Sequence, residues 1–85
     1  MSGPNILTLI QQAREQRQGL EEQKAVVEQQ LLDYPKFAGS TPLELEFYNN
    51  GKRALQNQVD DLASLIRHKD AEILSLRKQT QTSMF

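Results

Sequence analysis

From Ile6, one stripe of the chain repeats in alternating steps of four and three: Ile6, Ile10, Ala13, Arg17, Leu20, Lys24, Val27, Leu31 and Tyr34. That is the seven-residue rhythm of a helix packed along a single seam, kept for about four repeats. Ser2, Gly3, Pro4 and Asn5 offer caps, and a proline in the first turn gives up no backbone bond, so the predicted start is near residue 4. Gly19 falls off the stripe, and the phase runs unchanged from Arg17 to Leu20, which predicts one helix to about residue 33.

A break follows. Pro35 disfavours helical backbone at Tyr34, and Gly39 allows the chain to turn, so residues 34–41 read as a connector. Thr41, Pro42, Leu43 and Glu44 then match a capping box with proline in the first helical position. The rhythm resumes through Leu45, Tyr48, Lys52, Leu55, Val59, Leu62, Ile66, Lys69, Ile73, Leu76 and Thr80, predicting a second helix over about 42–80 and a frayed tail at 81–85. A rival reading is a short strand, since Leu43, Leu45 and Phe47 alternate with glutamates before the turn-like Asn49, Asn50 and Gly51. The cap at Thr41 and the unslipped phase through Tyr48 favour the helix.

A short connector makes two helices antiparallel neighbours. Folding the stripes back so that paired numbers sum to 75 or 76 sets Leu31 by Leu45, Val27 by Tyr48, Leu20 by Leu55, Ala13 by Leu62 and Ile10 by Ile66. The same register puts Lys24 by Lys52 and Arg17 by Val59, layers that stay partly wet. It also leaves residues 70–80 projecting past the first helix by about 16 Å. The expected fold class is therefore all-α, one domain over 1–85: an antiparallel two-helix coiled-coil hairpin that self-associates into a helical bundle. The expected oligomer or partner interface comprises Ile6, Leu9 and Ile10 on the first helix, Leu62, Leu65 and Ile66 on the second, and Ile73, Leu74 and Leu76 on the overhang, with Glu72 and Arg77 spaced to pair between parallel neighbours.

Four of the five aromatics, Tyr34, Phe37, Phe47 and Tyr48, fall within fifteen residues around the connector. Tyr34 and Tyr48 lie on the seam and plug the end of the hairpin, which leaves Phe37 and Phe47 as candidates for an external contact.

Composition narrows the chemistry. The 85 residues contain no Cys and no Trp, which excludes a disulfide scaffold and a cysteine-ligated metal. Eleven glutamines, seven of them between Gln11 and Gln30, keep company with Glu, Arg, Lys, Ala and Leu, and so support helix rather than low complexity. His68 is the single histidine, and Asp60 and Asp61 are neighbours about 100° apart on a helix, so neither a metal site nor a shared-proton pair is expected. The expected protein is not an enzyme, with no cofactor, metal or small-molecule substrate. A net charge of −1 gives no bulk attraction to nucleic acid, and the surplus of two positive charges over residues 67–85 is what a helix C-terminus normally carries, so a nucleic-acid-binding regulator ranks third. No apolar run approaches membrane-spanning length and no signal-peptide pattern opens the chain, which predicts a cytoplasmic protein or one inside a viral particle.

In size and outline the chain resembles the small helical-hairpin co-chaperones of bacterial secretion systems, and equally small phage or viral assembly proteins. The likeness is one of architecture and assigns no residues. It implies a coiled-coil assembly factor, adaptor or co-chaperone that packs helix into groove against itself and another protein, or else a permanent structural component of a larger assembly.

Overall fold

The computed structural model describes residues 5–83, with side chains described for residues 5–80. It consists of two helices, α1 (Ile6–Leu32) and α2 (Pro42–Ser83), folded back on each other into a hairpin measuring 68 × 21 × 15 Å. Of the predicted caps, Ser2, Gly3 and Pro4 lie outside the described residues. Asn5 does the work: its side-chain oxygen accepts the Leu7 N–H at 2.9 Å. At the other end of α1 the Asp33 N–H returns to the Gln29 carbonyl at 2.9 Å, and Gln29 Nε2 donates to the Asp33 carboxylate. Pro35 then prevents another turn.

The capping box at the start of α2 has formed, with its second arm moved by one residue. The Glu44 N–H donates to Thr41 Oγ1 at 3.2 Å, while the Glu44 carboxylate accepts the N–H of Ser40 at 3.0 Å. Helix therefore prevails over the alternating pattern of Leu43, Leu45 and Phe47, which lie in its first turns.

The seam follows the heptad stripe. Ile10, Ala13, Val27, Val59 and Ile66 are buried, and Leu20, Leu31, Leu55, Leu62, Ile73 and Leu76 are half-buried beside them. Two positions depart from the stripe: Leu45 and Lys52 are exposed, and Gly51 takes the seam place expected for Lys52.

The register also differs from expectation, by three helical turns. Arg17 binds Asp70, and Lys69 Nζ donates to Gln16 Oε1, so facing positions have numbers that sum to 85–87 rather than 75 or 76. Both registers bring stripe onto stripe, because a slide of ten or eleven residues is one heptad plus a step of three or four, which exchanges the two seam positions and keeps apolar against apolar. Two features distinguish them. Charge favours the observed one, since it replaces Arg17 beside Val59 and Lys24 beside Lys52 with Arg17 beside Asp70. The connector favours it as well. Residues 33–41 make no tight turn but run without helix alongside the opening turns of α2, where Tyr34 reaches Tyr48 and Gly51.

The expected overhang is accordingly absent. Ile10 lies level with Leu76 and Ile6 level with Thr80, and Leu7, Ile10, Arg77 and Thr80 line one shallow groove at that end. Ile73 and Leu76 face α1 instead of projecting past it. The surplus length of α2 lies at the connector end, where the extended segment runs beside it.

Candidate interaction surface

The connector end is built around Tyr48. Its ring packs on Tyr34, with centroids 5.1 Å apart, and on Phe37 at 5.5 Å, both tilted. The Tyr34 hydroxyl donates to the Tyr48 carbonyl at 3.1 Å. Tyr34 is thus held at both ends, ring and hydroxyl, and fastens the connector to α2. A Cβ at Gly39 would strike the Glu44 carboxylate and come within 2.8 Å of the Phe37 ring, so the absence of a side chain there lets the segment pass close to the capping glutamate. Phe37 joins this plug and is half-buried. Phe47 is 68% exposed, and with Leu43 one turn away it forms an outward apolar step.

The cations of the seam keep their charged ends at its edge. Arg17 binds Asp70 across the hairpin and Glu21 within its own helix at 2.9 Å. Its pKa is raised further above the ordinary arginine value, chiefly by the hydrogen bond to Asp70, so the guanidinium remains a cation in any ordinary buffer. Lys24 pairs with Glu28 at 2.9 Å and Lys69 with Glu72 at 2.8 Å. Glu72 is therefore engaged inside the chain.

The two broad faces of the hairpin differ in character. One carries a groove lined by Arg14, Arg17, Glu21, Glu22, Asp70 and Arg77, and is charged along its length. The other carries two grooves that meet at Gln23. The first is floored by Gly19, Leu20 and Leu65, with His68, Lys69 and Glu72 at its edge; the second by Val26, Val27 and Leu62, with Gln58 and Asp61. This second face is the less charged one, and Leu62 and Leu65, one turn apart on α2, link its two grooves across Gln23.

Of the expected interface residues, Ile10 and Ile66 are buried in the hairpin's own seam, and Ile6, Leu9, Leu62, Ile73 and Leu76 are half-buried along it. Leu65 and Leu74 are 49% and 53% exposed, on different faces, because Leu74 lies one turn from Asp70 and Arg77 of the charged groove. Val26, Leu32 and Leu43 are exposed apolar residues that the heptad reading left aside. Their signal was visible as large apolar side chains off the stripe, which a two-helix seam cannot cover.

The accessible surface is 6774 Å². A globular chain of 9.7 kDa would expose about 5,100 Å². Among the described residues no large side chain is fully buried. Among the described residues no group of three or more His, Asp or Glu comes together to hold a metal, and no helix is long and apolar enough to cross a membrane. No family model matches the chain, and neither a curated protein nor a solved structure is significantly similar to it.

Proposed function

We propose that this chain is a non-enzymatic protein–protein interaction module: a helical hairpin that self-associates into a bundle and acts as an assembly factor, adaptor or co-chaperone, in the cytoplasm or inside a viral particle. The carrying observation is the imbalance, among the described residues, between a seam of five buried side chains and eight large apolar side chains left exposed. A hairpin one side chain deep gains little stability by itself, and a second layer of helices supplies what is missing. In this reading the apolar grooves receive helices, and the step formed by Leu43 and Phe47 meets a second protein by the same burial.

The test is molar mass by light scattering across a concentration series. A mass of at least two chains, falling toward one on dilution together with helicity, supports the reading. A folded chain that stays at 9.7 kDa at every concentration overturns it.

A further inference from the structure

Resting on the self-association just proposed, we infer that the occupant of the Gly19–Val26 face is a second copy of this chain, stacked face to face and antiparallel, with Leu65 on the two-fold axis. Area supports a full-sized contact. The hairpin presents a face 68 Å long and 21 Å wide, whereas a stable interface needs about 800 Å² from each partner. The chain exposes roughly 1,600 Å² more than a globular protein of its mass, about twice that requirement.

Charge selects the face and the direction. The opposite face carries two acidic and two basic side chains of α1 beside Asp70 and Arg77, whose desolvation would oppose burial. The Gly19–Val26 face offers Leu20, Val26, Leu62 and Leu65, and its charged lining is limited to Asp61 and the Lys69–Glu72 pair, beside His68. Asp61 and His68 flank Leu65 there, four residues before it and three after. Neither has a hydrogen-bond or ion-pair partner among the described residues. If α2 packs antiparallel on α2 of the second copy with Leu65 at the centre, Asp61 is carried about 6 Å one way and His68 about 4.5 Å the other, so each Asp61 meets the other copy's His68. The imidazole donates an N–H to that carboxylate whether or not it is charged. A parallel stack would instead set Leu65 over Gly19 and Leu20 and leave Asp61 and His68 without each other, so the antiparallel stack is the one that uses both. The geometry is self-complementary, as a closed dimer requires.

The experiment combines a cross-link with a charge exchange in the full chain, which has no native cysteine. Under mild oxidation Leu65→Cys yields a covalent dimer, while Leu74→Cys, similarly exposed on the other side, does not. His68→Asp weakens dimerisation by about tenfold by setting two carboxylates together, and adding Asp61→Lys restores it. Both exchanged side chains are exposed, and equal helicity at high concentration confirms an intact hairpin. A dimer by light scattering in which Leu65→Cys fails to cross-link, in which both cysteines cross-link alike, or in which the second exchange does not restore affinity overturns this inference and leaves self-association standing. A folded monomer overturns both.

Discussion

The hydroxyl of Tyr34 stands in the space that a Cβ would occupy on Gly51, 2.5 Å from where that atom would be, while donating to the carbonyl of Tyr48. A glycine inside a helix ordinarily costs about 1 kcal/mol relative to alanine. Here it makes room for the group that ties the connector down.

The two positions should therefore be coupled. Gly51→Ala destabilises the hairpin because its methyl displaces the tyrosine hydroxyl, and Tyr34→Phe alone loses about 1 kcal/mol for the missing hydrogen bond. In the Tyr34→Phe protein the nearest remaining ring atom is 3.6 Å away, an ordinary contact, so Gly51→Ala becomes neutral or stabilising there. Chemical denaturation of the four proteins of this cycle reads the sign change; simple additivity would contradict the account.

Glycine substitutions elsewhere should divide by environment. Nothing lies within 4 Å of a Cβ built at Gly19, so Gly19→Ala raises stability by about 0.5–1 kcal/mol through helix propensity alone. Gly39→Ala pushes Glu44 away from the Ser40 N–H and lowers stability by about 1 kcal/mol, the usual loss for a broken cap. Thermal melts followed by circular dichroism give the two opposite shifts.

The register can be checked directly. Cysteines replacing Ala13 and Ile73, which lie level in the structure, should close an intramolecular disulfide readily. Cysteines replacing Ala13 and Leu62, level only in the register three turns away, should not. Reversing the cross-hairpin pair with Arg17→Asp and Asp70→Arg should preserve the first disulfide, whereas Arg17→Asp alone should slow it by setting two carboxylates together.

These contrasts mark what the amino-acid order reveals. The stripe from Ile10 to Val27, the cap at Thr41 and the break at Pro35 are local, so the two helices and their inward faces are legible from spacing alone. The register is not local. A slide of about eleven residues restores apolar-to-apolar layers, and only two details distinguish the alternatives: the charge match between Arg17 and Asp70, and the fit of Tyr34 against Gly51. Weighing those charges across the fold would have favoured the observed pairing. The length of connector 34–41 does not say that it runs extended beside α2, and the covered position of Ile73 and Leu76 depends on that path. Within the candidate surface, Leu65 was legible as an off-stripe leucine, but the division into a charged and an apolar face depends on the register.

A single truncation should test how little holds the hairpin together. Ile66→Ala truncates one of the five side chains buried among the described residues and should cost about 2–4 kcal/mol, comparable to the whole stability available to a chain of this size. Helicity in dilute solution should collapse and recover as concentration rises. Loss without recovery would show that the seam is needed even when neighbours are present.

The connector that runs lengthwise beside α2 gives this molecule a gauge. Its span, set by Pro35 at one end and by the Ser40–Glu44 clasp at the other, meters out how far one arm travels before it meets its counterpart. Substitutions along the seam can therefore accumulate without one arm slipping against the other, whereas adding or deleting residues between Tyr34 and Thr41 would reset the alignment of the whole hairpin in one step.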